Sequence, residues 1–260
     1  MAAELAHEDE AAAGYDRAFG HVATHFIPCL LRAAHLAPNM KILDIAAGTG
    51  LAAAAALKII GPGGHATAAD LSAAMVEKAR QRLHAAPNTS VKVEDGQALS
   101  FSGESFDAVV CSLGLMFFPD PLRGLVEFRR VLRSGGRAAV SVNTVPEKSY
   151  NNRINLAIAR HVPSLAAAAS RVFSIGGEMK LRALFEDAGF IDVEITTENH
   201  RFILPSFDAY FGPFENGAGA PGQAYLSLPE HARKAVRQDI GDTGGPIEIT
   251  VELRFASGRR

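Results

Sequence analysis

The sequence predicts an α/β fold: a doubly wound, mostly parallel sheet with an antiparallel last strand, leading helices, and a lid of helix and loop. Three observations predict it. Short apolar runs alternate with longer segments of helical periodicity through the first 145 residues. The first of these runs ends in a glycine turn, Gly48 with Gly50, that opens directly into an alanine-rich helix. The final segment, IEITVELRF at 247–255, alternates apolar and polar residues strictly, as a half-buried strand does.

Taken in order, Phe19, Val22, Phe26, Leu30 and Leu31 recur at helical spacing between residues 11 and 37, and Pro38 closes one or two leading helices. KILDIA at 41–46 is a strand, LAAAAALKII at 51–60 a helix, and GPGG the break after it. The cycle repeats with a strand at 65–69, a helix at 72–85 placing Met75, Ala79 and Leu83 on one face, and a strand at 91–94. FDAVVC at 106–111 is the fourth strand. A helix opens at Pro121, where the missing N–H costs nothing, runs to about Leu132 and stops before SGG. A strand at 137–143, a helical stretch over 146–173, a helix stopped by Gly189 and a strand at 190–203 follow. The connection 205–245, rich in Gly, Pro and aromatics with a short helix at 229–240, is long enough to read as a functional lid.

Composition narrows the function. A net charge of −2 with no Lys/Arg block lacks the electrostatic footprint of a nucleic-acid binder. No window approaches the roughly 18 consecutive apolar residues of a membrane span, and the N-terminus carries no secretory pattern, so the expected location is cytoplasmic. Cys29 and Cys111 have no CxxC spacing and suggest neither a disulfide framework nor a thiolate zinc site; both read as buried small apolar residues. His21 and His25 stand four apart on a predicted helix, but Val22 occupies the position where a zinc-protease pattern needs Glu, and no metal is expected.

In an open parallel sheet, ligands bind beyond the carboxyl ends of the strands, so the residues just after each strand carry the chemistry. Gly48 and Gly50 allow a tight turn and close approach of backbone to a ligand, with free helix N–H groups behind them. Asp70 closes the second strand, where an acid can accept from two ribose hydroxyls. Gly48, Gly50 and Ala53 also satisfy a relaxed dinucleotide fingerprint with Asp70 at the expected distance, so an NAD-dependent oxidoreductase stays open; against it, Tyr150 is followed by Asn, Asn, Arg and Ile, and no Tyr-x-x-x-Lys pair occurs near the expected place. Asp44 before the glycines and Asp95 with Gly96 after the third strand are acids that a nicotinamide site does not require. An amino-acid moiety joined to adenosine gives all three acids work as acceptors.

The segments LDIAAGTG, AADLSAAM, VEDGQAL, FDAVVCSLGLMFFPD and RVLRSGGRAAVSV, in this order and spacing, resemble a class I S-adenosylmethionine-dependent methyltransferase of the ubiquinone/menaquinone-biosynthesis type, methyltransferase type 11. The resemblance covers about 15–145 well and implies a Rossmann-like core. It implies that Asp44 and the loop Ala46, Ala47, Gly48, Thr49 and Gly50 hold the methionine part of S-adenosylmethionine and that Asp70 holds the ribose. By the same resemblance Leu71 and Met75 enclose the adenine, Asp95, Gly96 and Gln97 meet its edge, and Ser112 lies beside the methionyl end. Ala46 takes the place of the first glycine of the wider class, and Ser134 that of a usual proline.

The implied organisation is an N-terminal helical cap at 1–38, a cofactor-binding core at 39–145, and acceptor-side helices, lid and closing strands at 146–260 of the same domain. The expected reaction is SN2 methyl transfer to a small, mostly apolar organic acceptor at O, C or N. A protein that binds the cofactor without methylating is the further alternative, since fold does not fix function. Leu115, Met116, Phe117 and Phe118, after the fourth strand, are candidate acceptor-lining residues; Tyr15, Phe19 and His21 are candidates to cover the cofactor. Should the acceptor need a base, His21, Tyr150, His161, His200 and Tyr210 are the candidates, unranked. Acceptor identity and oligomeric state, monomer or homodimer, stay open.

Overall fold

The computed structural model describes residues 2–162, 170–241 and 244–260, with side chains from Gly14 onward. Among them, strands β1 (Lys41–Ile45), β2 (His65–Asp70), β3 (Thr89–Val93), β4 (Phe106–Ser112), β5 (Leu132–Asn143), β6 (Ile191–Leu204) and β7 (Ile247–Arg259) form a single sheet. Its order is β3-β2-β1-β4-β5-β7-β6, with parallel pairing from β3 to β5 and β7 antiparallel to both of its neighbours. The chain builds outward from β1 in one direction and from β4 in the other. The switch in strand order therefore falls between β1 and β4, where a crevice for ligands opens.

The helices are α1 (Ala2–Ala33), α2 (Leu51–Ile60), α3 (Ala73–Leu83), α4 (Pro121–Val131), α5 (Asn152–Ala159), α6 (Glu178–Asp187), α7 (Phe207–Glu215), α8 (Gly219–Leu226) and α9 (Glu230–Ile240). β1 is covered on both faces, and its sequence is accordingly an apolar run broken only by Asp44. On one face, α1 contributes Ala18, Val22, Phe26 and Leu30, an i, i+4 stripe that packs with α2 and the lid helices. On the other, Leu125 and Phe128 of α4 meet Leu181 and Phe185 of α6. Each fully buried side chain of this kind stabilises the fold by about 1.5–3 kcal/mol relative to exposure. Local signals set the boundaries. Ser72 caps α3 by accepting from the Met75 N–H, and Asp120 caps α4 by accepting from the Arg123 N–H with Pro121 at the first position. β6 lies at the sheet edge and carries Glu194, Glu198 and Arg201, charges of the sort that discourage edge-to-edge pairing.

The leading segment, read as one or two helices, is one, with Pro28 inside it. Several other expectations are corrected. Val76, rather than Met75, joins Ala79 and Leu83 on the buried face of α3, and Met75 is half-buried. β5 begins at Leu132, because α4 passes into it without a break. The helical stretch at 146–173 contains a 3₁₀ turn at Pro146–Lys148 and the short α5; its residues 163–169 lie outside the described ones. The lid at 205–245 carries three helices, α7, α8 and α9, with 242–243 outside the description. Cys111 is buried as expected, whereas Cys29 is only half-buried. Among the described residues, no helix is long and apolar enough to cross a membrane.

Gly124 shows how tightly α4 sits on the site loops. Alanine inside a helix normally gains about 1 kcal/mol over glycine, yet a Cβ at Gly124 would lie 2.5 Å from Phe118 Cδ2. We predict that Gly124→Ala destabilises the protein by about 1–3 kcal/mol in denaturant unfolding instead of stabilising it; a gain in the unfolding midpoint would contradict this packing.

Candidate active site

The crevice starts at the turn from β1 into α2. Ala46, Gly48 and Gly50 all adopt left-handed backbone, with φ of 53°, 54° and 82°. For Ala46 that conformation carries strain of order 1 kcal/mol, since only glycine enters it freely. The turn aims the first N–H groups of α2 back at the strand end. One of them, Ala53 N–H, donates to Asp44 Oδ2 at 2.9 Å. The other oxygen, Asp44 Oδ1, is buried and has no hydrogen-bond partner. Burial pushes the Asp44 carboxyl up to about 7, the Ala53 bond opposes the shift, and the negative charge of Asp70 adds to it. An orphaned acceptor inside a glycine crevice fits a ligand bearing a cationic donor.

Asp70 stands at the end of β2 and accepts from Gly48 N–H at 2.8 Å on one oxygen and from Ser72 N–H at 2.9 Å on the other. Each oxygen keeps a lone pair for a hydroxyl. Leu71 is 70% exposed, an uncommon state for leucine that suits an apolar platform for a flat ring. Asp95 is exposed and accepts from Gln97 N–H at 2.9 Å, while Gln97 Oε1 receives Asp120 N–H at 2.8 Å. Gly96 is required by contact: a Cβ there would lie 2.4 Å from Phe118 Cζ. Ser112 is half-buried at the end of β4, followed by Leu113 at φ 55°. Thus the cofactor candidates converge on the carboxyl ends of β1, β2, β3 and β4.

The sequence reading missed a clamp over this loop. Thr49 Oγ1 donates to Asp16 Oδ1 at 2.6 Å, and Arg82 Nη1 donates to Thr49 O at 2.9 Å and to Thr49 Oγ1 at 2.8 Å. Arg82 also pairs with Asp16 Oδ2 at 2.5 Å. One cluster therefore ties α1, the glycine loop and α3 together. No spacing rule links Asp16 to Arg82, and only the fold brings them within reach.

Beside the crevice lies a cavity of about 240 Å³. Tyr15, Phe19, Val22 and Ala23 of α1 form one wall, Leu113, Met116 and Phe117 another, and Pro221, Val251 and Leu253 close it. Its polar edge consists of Asn143, Ser149, Tyr150, Asn151 and Asn155. No charged side chain lines it among the described residues. Tyr15 joins the two compartments: burial and the charges of Asp70 and Asp16 push its hydroxyl up to about 12. Burial likewise raises Tyr150, so neither phenol is a base near neutral pH.

Of the four proposed acceptor-lining residues, Met116 and Phe117 face the cavity. Leu115 is fully buried in the core under α4, and Phe118 packs over Gly96 and Gly124 with its ring 6.1 Å from Phe128. The 3₁₀ turn at Leu115–Phe117 is the cause, since it sends successive side chains to different sides. Among the base candidates, only Tyr150 lines the cavity. Tyr210 is buried and donates its hydroxyl to Tyr150 O at 2.9 Å, which fixes the backbone there. His161 is exposed just beyond α5. His200 stacks on His25 at 3.7 Å, outside the cavity. His21 packs edge-on against Tyr150 and Phe202, its Nε2 buried without a partner, and burial lowers its pKa. Phe19 lines this cavity.

Comparison with known proteins agrees with this geometry. A family model described as a methyltransferase domain matches residues 43–140. A demethylmenaquinone methyltransferase of Clavibacter sepedonicus is 37% identical over 131 residues, 50% of this chain and 52% of that protein. One of Staphylococcus aureus is 30% identical over 167 residues, 60% of this chain and 69% of that protein. The chain thus spans about half the length of the first relative and about two thirds of the second. A solved Bacillus halodurans structure assigned as a methyltransferase shares the fold, with a TM-score of 0.61 at 20% identity over 90% of this chain and 97% of its own. The chain belongs to the class I S-adenosylmethionine-dependent methyltransferases, of the menaquinone/ubiquinone-biosynthesis type. That membership sets aside the dinucleotide reading of Gly48, Gly50 and Ala53.

The clamp predicts a measurable coupling. Arg82→Ala and Thr49→Val are each expected to weaken S-adenosylmethionine binding about tenfold, mainly through faster dissociation, and the double variant to lose little more than either alone. Calorimetric titration of the three proteins checks this; fully additive losses would mean that the residues act independently.

Proposed function

We propose that this protein transfers the methyl group of S-adenosylmethionine to a small, neutral, mostly apolar acceptor of quinol or phenol type. The supporting observation is the cavity beside the glycine crevice, with apolar walls, one polar edge and no charged side chain among the described residues. Burying an anionic or cationic acceptor there would leave its charge unpaired, at a cost of several kcal/mol. The quinone substrate in the names of its relatives is of the same chemical kind.

The residues fit the cofactor. Asp44 Oδ1, buried and unpartnered, would accept from its ammonium; the amides of the 46–50 loop would meet its carboxylate; Asp70 would take the ribose hydroxyls; Leu71 and Met75 would flank the adenine, with Asp95 to Gln97 at its edge and Ser112 near the methionyl end. When bound, S-adenosylmethionine supplies an electrophilic methyl on a sulfonium, already an excellent leaving group. The chain's own contribution is positioning. The Leu113 corner and α1 hold the acceptor at the strand ends and exclude water, and such orientation supplies up to about 7–11 kcal/mol of the barrier. No carboxylate or imidazole lines the cavity among the described residues, so the acceptor's proton leaves without a nearby strong base.

Two measurements test the reading. In thermal unfolding, S-adenosylmethionine and S-adenosylhomocysteine should each stabilise the protein, by about 2.7 kcal/mol at a hundredfold excess over Kd, and NAD should not. Turnover should appear with neutral hydroquinones and naphthols and be absent with carboxylates and aliphatic amines; turnover of charged acceptors alone would overturn the proposal.

Asp44 adds a pH dependence. Its raised pKa means that the unliganded protein holds a proton there below about 7, and a cationic ligand favours the carboxylate. Binding therefore releases a proton, and affinity should rise by up to tenfold per pH unit from pH 5.5 to 6.5, then level off above about 7. Before ligand is added the sign is the opposite: the raised group costs stability as pH rises from about 4 toward 7. Asp44→Asn should bind more weakly with a flat pH profile, measured by calorimetry in buffers of different ionisation enthalpy.

A further inference from the structure

We infer that Asn143 is the residue that recognises an oxygen of the acceptor and so sets which acceptors are methylated; this rests on the acceptor class proposed above. Asn143 ends β5. Its strand pairs with β4 up to Ser141 opposite Ser112, and Leu113 N–H continues the contact by donating to Ser141 O at 3.1 Å. Asn143 therefore stands beside the Leu113 corner, on the carboxyl-end rim where an acceptor meets the cofactor. On its other side it pairs with Leu253, which also lines the cavity.

Its hydrogen-bonding capacity is largely unspent. Among the described residues, the one hydrogen bond its side chain makes is from Nδ2 to Met116 Sδ at 3.9 Å, a long contact with a weak acceptor. The other polar groups of that edge are placed differently. Ser149 Oγ donates to Asn151 Oδ1 at 3.3 Å, and Asn155 belongs to α5, beyond the strand ends. Tyr150 is the shared member of an aromatic cluster with Phe19, His21, Phe202 and Tyr210, which fixes its ring. An amide both donates and accepts, so it matches a neutral hydroxyl or a carbonyl and needs no charge on its partner. Half-buried on the polar edge of an otherwise apolar cavity, it loses that partner when an acceptor lacks the oxygen. A site of this kind discriminates far more sharply than one that reads shape alone.

The test compares two probes that differ by one hydroxyl, 2-naphthol and naphthalene, binding to protein saturated with S-adenosylhomocysteine. Wild type should prefer the naphthol by about ten- to hundredfold. In Asn143→Leu and Asn143→Ala the preference should fall to within about twofold, naphthalene binding being retained and the affinity for S-adenosylhomocysteine unchanged. The alanine variant keeps the test open if leucine is too large for the wall. A preference that survives both substitutions, or that disappears only in Tyr150→Phe, overturns the assignment. Wild type binding neither probe while still binding S-adenosylhomocysteine overturns it too, and the acceptor class with it, but not the family. Binding of both probes without dependence on Asn143 overturns the assignment alone.

Discussion

The carboxylate of Asp44 is buried at the carboxyl end of β1, held on one side by an amide of α2 and left unpartnered on the other. The chain must reverse from strand to helix immediately after it, which forces Ala46, Gly48 and Gly50 into left-handed backbone. That turn organises its surroundings. Asp70 is fixed by Gly48 N–H, so β2 is registered against the loop; Thr49 is fixed by Asp16 and Arg82, so α1 and α3 are as well. Gly114, after β4, closes the remaining side, where a Cβ would fall 2.4 Å from Ala46 Cβ. Four elements thus meet at one strained turn, and a ligand that satisfies Asp44 acts on all of them.

The site has two compartments of opposite character. The glycine crevice gathers Asp44, Asp70 and backbone amides, a setting for a polar, charged ligand. The cavity is apolar with a neutral polar edge. Tyr15 stands where they meet, and the charges of Asp70 and Asp16 reach its hydroxyl. The separation has a catalytic logic. Under the proposed function, charge on the cofactor side would be compensated by fixed groups, while an acceptor in the cavity would be shielded from water. Both tyrosines are shifted upward and no histidine lines the cavity among the described residues, so the lining offers orientation and no ready base.

How much of this was legible follows from the range over which each signal acts. The strand, turn and helix at 41–60 are local: an apolar run, two glycines and an alanine-rich segment state their conformations within a few residues. Asp70 and Asp95 could be singled out because one ends β2 and the other follows β3, positions that sequence reveals. Leu115 and Phe118 lie outside the cavity, and four consecutive apolar residues, three of them in a 3₁₀ turn, carry no period that separates core from cavity. The base candidates were chosen by residue type alone, and His161, His200 and Tyr210 fall elsewhere because type carries no position.

The sequence by itself determined the fold class and the run of acids, Asp44, Asp70 and Asp95, at or just after three successive strands, since each depends on residues close together in the chain. Only the tertiary structure decided which side chains share a cavity. The Asp16, Thr49 and Arg82 clamp, the three-helix lid and the meeting of Asn143 with Leu113 and Leu253 join residues separated by tens to more than a hundred positions. Such contacts arise from sheet pairing and from burial of helix faces against a shared core, and no local spacing encodes them.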